Sequence, residues 1–204
     1  MRERLVAIAV DAFAERGFAA TSMREIAAAA GITNASLLHH YPGKPALYGV
    51  VLERIADSLS VWSEPPDGTA EDRLVATVGQ YFAWSCRHEK YARILMRELL
   101  DNHDRAGSAR RWYLGPAVRR MIERVEAAQQ RGELGRFDAA MLLAHQIGGV
   151  AYFVAAEPTL RRILGLPRSA DLMGRFQEAL SANLRALLQV SARPARRAGE
   201  RRSS

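Results

Sequence analysis

Cysteine, lysine and long apolar runs are all scarce in this 204-residue chain, and each scarcity excludes something. The one cysteine, Cys86, has no partner for an internal disulfide, so the expected compartment is a reducing cytoplasm. No apolar run approaches the roughly 20 residues that span a bilayer. Arg2, Glu3, Arg4 and Asp11 break up any N-terminal signal segment, so no membrane partner is expected. Alternating apolar and polar stretches long enough for strands are missing too, and the chain reads as all-α. Signatures of catalysis are equally absent: there is no glycine-rich phosphate loop, nucleophile elbow or zinc motif. His88-Glu89 lacks a second histidine four residues after the first, and Asp101, His103 and Asp104 fall near a helix end, where solvation explains them. No enzyme activity, metal or cofactor is therefore expected.

What is present is an ordinary globular composition, 49% hydrophobic and 25% charged, with a net charge of +7. A chain of this length holds one good core, or a small domain beside a larger one. The charge is unevenly spread. In residues 1–60, Arg2, Arg4, Arg16, Arg24, Lys44 and Arg54 are cancelled by Glu3, Asp11, Glu15, Glu25, Glu53 and Asp57. Part of the excess lies at the far end, where Arg193, Arg196, Arg197, Arg201 and Arg202 face only Glu200. Pro194 and Gly199 add to that segment, so residues 193–204 are expected to form a disordered basic tail.

Residues 21–48, TSMREIAAAAGITNASLLHHYPGKPALY, carry the strongest local signal. Thr21 or Ser22 caps a short helix, and Glu25, three residues after Ser22, fits a capping box. Met23, Ile26, Ala27 and Ala30 then follow helical spacing. Gly31 stops the helix, Ile32 turns inward and Thr33 caps the next one. Two helices joined by so short a turn cross steeply, which lets the first lie over a phosphate backbone while the second enters a major groove. The N-terminal residues of such a second helix, Thr33, Asn34, Ala35 and Ser36, face base edges. Asn34 pairs bidentately with adenine, and the Ala35 methyl meets thymine. Thr21, Ser22 and Arg24 at the head of the preceding helix are phosphate candidates. So is Lys44, whose cation stands beside the free N–H groups of a fourth helix. Leu37 and Tyr41 belong to the core, with a phosphate contact open to the tyrosine hydroxyl.

Residues 4–48 resemble the N-terminal domain of the TetR family of bacterial transcriptional regulators. The resemblance is carried by Phe13, Gly17-Phe18, Thr21-Ser22, Ile26-Ala27, Ala30-Gly31-Ile32, Leu37, Tyr41, Lys44 and Ala46-Leu47. The chain departs from the usual pattern at Leu38, where the family has tyrosine, and at Ala35, Pro45 and Tyr41, where glycine, glutamate and phenylalanine are common. The resemblance implies that Thr33 and Ser36 contact phosphate or base and that His39 or His40 contacts the backbone. It also implies an all-α architecture: a three-helix DNA-binding domain with a helix-turn-helix, followed by a helical ligand-binding and dimerisation domain.

Breaks in the pattern set the expected organisation. Residues 1–48 form the helix-turn-helix domain, 49–64 a connecting helix, 65–192 the effector and dimerisation domain, and 193–204 the tail. Expected helices run near 2–16, 45–62, 70–88, 90–102, 108–114, 116–131, 138–156 and 169–188, with Glu157-Pro158 ending the penultimate long one. Ala140, Ala144 and Gly148 line up as a ridge of small residues that another helix can approach, and Phe176, Leu180 and Leu184 supply an apolar stripe. In TetR-like proteins the last two helices of each subunit form a four-helix dimer bundle, and the same is expected here. Tyr81, Trp84, Tyr91, Trp112, Tyr113, Met141, His145 and Tyr152 are candidates to line an effector pocket, or else plain core.

These expectations amount to a homodimeric repressor that reads a pseudo-palindromic double-stranded DNA operator and is released by a small-molecule effector. Two other readings stand beside it: an architectural DNA-binding protein without a ligand, and an all-helical enzyme carrying an incidental helix-turn-helix.

Overall fold

The computed structural model describes residues 1–60, 67–101 and 115–192, and among these there are helices and no strands. The expected helix at 108–114, the basic tail and the candidates Trp112 and Tyr113 lie outside the described residues, as do His103 and Asp104.

Helix α1 (Arg2–Ala20) turns Leu5, Ala9 and Phe13 into the core, as the spacing predicts, but it continues past residue 16 through a kink. The cause is Gly17, whose φ of 76° and ψ of 175° interrupt the helical ladder. A Cβ at this position would lie 3.0 Å from an Arg97 guanidinium nitrogen. Helix α2 (Met23–Ala29) begins at the Ser22–Glu25 capping box and ends on Gly31, whose φ is 68°. There the Ile32 N–H donates to the Ala27 carbonyl and the Gly31 N–H to that of Ala28, which satisfies carbonyls the helix leaves open. Helix α3 (Asn34–His40) starts on Thr33, whose Oγ1 accepts from the Ser36 N–H at 3.1 Å. Helix α4 (Lys44–Ser60) follows after a short turn, with Pro45 in its first turn, where its missing donor does no harm.

The remaining helices are α5 (Ala70–Arg87), α6 (Glu89–Asp101), α7 (Gly115–Gln130), α8 (Ala139–Ile163) and α9 (Leu172–Ala192). Two expectations fail in α8. Pro158 lies within this helix and does not end it. Glu157 and Arg161 clamp the turn around the proline at 2.7 Å, and Arg161 also donates to the carbonyls of Pro167 and Ala170. In addition, α8 is long and apolar enough to cross a bilayer by length and composition, contrary to the sequence reading. In the fold it packs on α5, α6 and α7, and its apolar character serves that core on one side.

Among the described residues two hydrophobic clusters hold the helices together. The larger runs without a break from α1–α4 into the body, joining Phe13, Leu37, Leu47 and Ile55 to Phe82, Trp84, Ile94 and Phe153. The smaller gathers Leu74, Val78, Val125, Leu143, Leu184 and Leu188 at the other end, where α5, α7, α8 and α9 meet. Because the first cluster spans both regions, the N-terminal helices are seated on α6, and a displacement of α6 is felt by α1.

Candidate nucleic-acid interface and effector cleft

The kink at Gly17 leaves carbonyls at the end of α1 without helical partners, and side chains from three other places fill the gap. Thr21 Oγ1, with one proton to give, lies 2.7 Å from Gly17 O, its nearer acceptor, and 3.2 Å from Ala12 O. Lys44 Nζ donates to the carbonyls of Phe18, Ala19 and Thr21 at 2.8, 3.1 and 2.9 Å and lies 4.6 Å from the centre of the Phe18 ring. Arg97 donates to Glu15 O at 2.9 Å. This corrects two expected phosphate contacts. Thr21 is only 2% exposed with its hydroxyl turned inward, and the three N–H donors of Lys44 are matched by three carbonyls.

The surface that remains for a duplex is built on the two helix starts. Ser22 and Arg24 are exposed at the head of α2, as expected. Ser22 Oγ accepts from the Glu25 N–H at 3.2 Å, while the Ser22 N–H donates to the Glu25 carboxylate at 3.1 Å. These Ser22 bonds, first the backbone one, hold the Glu25 carboxyl below its ordinary range, with Arg16 adding a smaller effect. Thr33, Ala35, Ser36 and His39 are exposed along α3. Thr33 uses an oxygen lone pair for its cap, so its hydroxyl proton is still available to a phosphate oxygen.

In this segment Asn34 is placed otherwise than the sequence reading expects, whereas Tyr41 joins the core and one histidine of the pair turns partly inward, as expected. Asn34 is half-buried, and its Oδ1 is shut away from solvent with no donor opposite it among the described residues. A bidentate pair with adenine needs both amide atoms outside, so Asn34 in this rotamer does not offer one. Tyr41 is buried as the C-cap of α3 and belongs to the core. His40 is half-buried with its ring 5.9 Å from that of exposed His39, so the pair divides between inside and outside. Leu38, absent from the expected contacts, is 40% exposed in the middle of α3. Its position where the family has tyrosine was the available signal.

In the body, the candidates among the described residues do not converge on a pocket. Tyr81 and Trp84 are core residues stacked at 6.1 Å, and burial pushes the Tyr81 phenol up to about 12. Tyr91 borders a shallow groove of about 430 Å³ between α1, α4 and the α5–α6 corner. Met141, His145 and Tyr152 are exposed, on the side of α8 turned away from its core. A cleft of about 310 Å³ opens instead between α5 and α7, floored by Leu74, Val125 and Leu143 and edged by Arg73, Arg124 and Arg131. Glu133 bridges two of these arginines, at 3.3 Å from Arg73 and 2.6 Å from Arg131. The sequence signal that would have found the cleft is the seven-residue spacing of Arg124 and Arg131 beside apolar Met121, Val125 and Ala128.

The dimer candidates divide in a similar way. On α8, Ala140 and Gly148 are half-exposed and Ala144 is exposed, so the small-residue ridge does face outward. On α9, Leu184 is fully buried, Leu180 packs against both clusters, and the Phe176 ring stacks on that of Phe153 at 3.7 Å. These three serve the subunit's own core, which corrects the expected stripe. The outward apolar residues of α9 are Leu187 and Val190.

Comparison with known proteins fits this geometry. A family model described as bacterial regulatory proteins, tetR family, matches residues 5–51, which are α1–α3 and the start of α4. An HTH-type transcriptional repressor of Mycobacterium tuberculosis is 29% identical over 160 residues, covering 78% of this chain and 74% of the relative. The HTH-type transcriptional repressor KstR2 of Rhodococcus jostii is 45% identical over 58 residues, 28% of each chain. A solved tetR-family regulatory protein from Rhodococcus superposes with a TM-score of 0.67 at 20% identity, over 95% of this chain and 98% of that one. With a capped helix-turn-helix that matches the tetR-family model at one end, and a helical body whose fold is that of tetR-family structures at the other, the chain is similar to DNA-binding transcriptional regulators of the TetR type.

Proposed function

We propose that this regulator is a homodimeric, cytoplasmic repressor without enzymatic activity, which leaves its operator when a small molecule occupies the α5–α7 cleft. The observation that carries the DNA-reading part is the outward row on α3: Thr33, Ala35, Ser36, Leu38 and His39 are all exposed, above a helix anchored by buried Leu37. In this reading Thr33, Ser22 and Arg24 hold phosphates. Ala35, Ser36 and Leu38 meet base edges, with the two apolar side chains suited to thymine methyl groups. One such helix makes few base contacts, and a two-fold pair with heads about 34 to 36 Å apart supplies a pseudo-palindromic address.

The dimer is supported by α8. Gly148 and Gly149 stand in open space: a Cβ at either position meets no atom within 4 Å. Glycine inside a helix costs about 0.5–1 kcal/mol relative to alanine, and nothing among the described residues requires it here. Close approach of a second subunit's helix gives these glycines a role, flanked by exposed Tyr152 and Met141.

The test is a mobility-shift titration with the DNA flanking the protein's own gene, in the presence of unrelated competitor. Wild type is expected to give a competitor-resistant shift. Ala35→Glu, which sets a carboxylate against the duplex, is expected to abolish it with unchanged helicity and melting. A shift that both unrelated DNA and this substitution leave unaltered in kind would instead support the architectural reading.

A further inference from the structure

The exposed face of α3 is short of side chains that read bases by hydrogen bonds, and it carries hydrocarbon where a duplex would meet it. Each residue of a helix turns about 100° from the one before. Leu37 is fully buried, so Ala35 and His39, two places to either side, point most nearly opposite it, with Ser36 and Leu38 on the flanks. Leu38 is 40% exposed. Ala35 and Leu38 are three residues apart, which makes them surface neighbours with Cβ atoms about 5–6 Å apart. The side chains that identify guanine or adenine by paired hydrogen bonds are arginine, lysine, asparagine and glutamine. None of these is among the exposed residues of α3, and half-buried Asn34 has its Oδ1 shut away from solvent. Ser36 has one hydroxyl, which serves several base edges as donor or acceptor, and His39 brings one ring nitrogen at a time.

We infer that α3 identifies its operator chiefly by pyrimidine C5-methyl groups, received by Ala35 and Leu38, and that a cytosine methylated at C5 is accepted where thymine is read. In the major groove thymine differs from cytosine both in this methyl and in its hydrogen-bonding group, and an apolar side chain responds to the methyl. Covering a methyl with leucine or alanine carbon removes both surfaces from water, the same gain that packs a core. Base pairs rise about 3.4 Å per step, so side chains about 5–6 Å apart reach methyls one or two steps from each other. Leu38 is the longer of the two and the specificity-determining residue of the pair. The inference rests on the reading of α3 as the helix that enters the major groove. It goes beyond that reading by naming the group that is read, and by making C5 methylation of operator DNA a signal to which the protein responds.

The experiment takes a binding sequence from a pool of random duplexes by repeated mobility shift with the full chain. Each thymine of that sequence is then replaced singly by deoxyuridine, which removes the methyl and leaves every hydrogen-bonding group in place. At one or two positions of a half-site, wild type is expected to bind the deoxyuridine duplex roughly fourfold more weakly, the effect of one methyl. At the same positions a C·G pair is expected to bind more weakly still, and 5-methylcytosine to recover roughly fourfold over plain cytosine. Leu38→Ala shortens an exposed side chain and keeps a good helix former, so it is expected to fold as wild type and to bind thymine and deoxyuridine alike at one of these positions. Indifference of wild type to deoxyuridine everywhere, methylated cytosine no better than plain cytosine, or a deoxyuridine effect that Leu38→Ala leaves whole at every position would each overturn the inference while the operator-binding reading stands. A pool from which no sequence emerges would overturn that reading itself, and the inference with it.

Discussion

At the scale of single residues, the reading head depends on how α1 ends. Gly17 breaks the ladder, and the freed carbonyls are served by Thr21, Lys44 and Arg97, each from a different part of the chain. Lys44 is therefore a cap with charge. Its loss is expected to act on stability: Lys44→Ala should destabilise the head by about 1.5–3 kcal/mol, the range for hydrogen bonds to a charged group. The slope of log affinity against log salt should stay as it is, because no phosphate contact is removed. Denaturant unfolding and a salt titration of DNA binding check the two halves. A slope flatter by about one unit with unchanged stability would return Lys44 to the phosphate contacts. The Ser22–Glu25 box was legible in the sequence, since both partners lie within one turn and their spacing alone specifies the geometry. Lys44 was legible only as a cation at a helix start, because its partners are 23 to 26 residues away and exist only once Gly17 has turned. Asn34 shows the same limit: its type suits adenine, but which way its amide points is set by neighbours that the spacing does not reveal.

Among the elements, the short helices were read well and the long ones less so. Caps and stops define α2 and α3 locally, so their order and turn follow from Ser22, Gly31 and Thr33. Helix α8 obeys a tertiary influence instead. A proline removes one ladder bond and crowds the preceding turn, at about 3 kcal/mol in a helix interior, yet α8 passes through Pro158 because the Glu157–Arg161 pair and the Arg161 contacts to the following loop hold both sides. Pro158→Ala should restore the missing donor at an exposed position. Thermal unfolding is expected to show a stabilisation of about 1–3 kcal/mol, with unchanged DNA affinity. A loss of stability would mean that the helix follows a bend that the proline itself sets. Helix α9 was misread for a different reason. Its apolar stripe is wide, with Phe176, Leu180, Leu184, Leu187, Leu188 and Val190, and the spacing cannot divide the inward part from the outward part.

For the whole molecule, helix α6 connects the N-terminal helices to the body. Lys90 pairs with Asp11 at 2.7 Å, Arg97 reaches Glu15, and buried Glu98 accepts from the Tyr48 hydroxyl at 2.7 Å, so α6 grips both α1 and α4. A ligand that prefers a shifted body would thereby be linked to the position of α3, and a coupling of about 1–3 kcal/mol changes operator affinity by about 5- to 150-fold. Such coupling releases DNA effectively only if both heads are held in register by a dimer, which places the demand on the outer face of α8. Gly148 provides the means to examine that face without disturbing the subunit. Its Cβ direction is open, and the helix around it is continuous, so Gly148→Arg should fold with equal or slightly greater thermal stability as a monomer. Across a close helix pair, the same side chain would be forced into the partner with an unpaired charge. Sedimentation equilibrium is expected to show wild type as a dimer and Gly148→Arg as a monomer, and the two-site operator shift should disappear with it. A dimer that survives the substitution would move the subunit contact away from α8, to the exposed Leu187 and Val190 of α9.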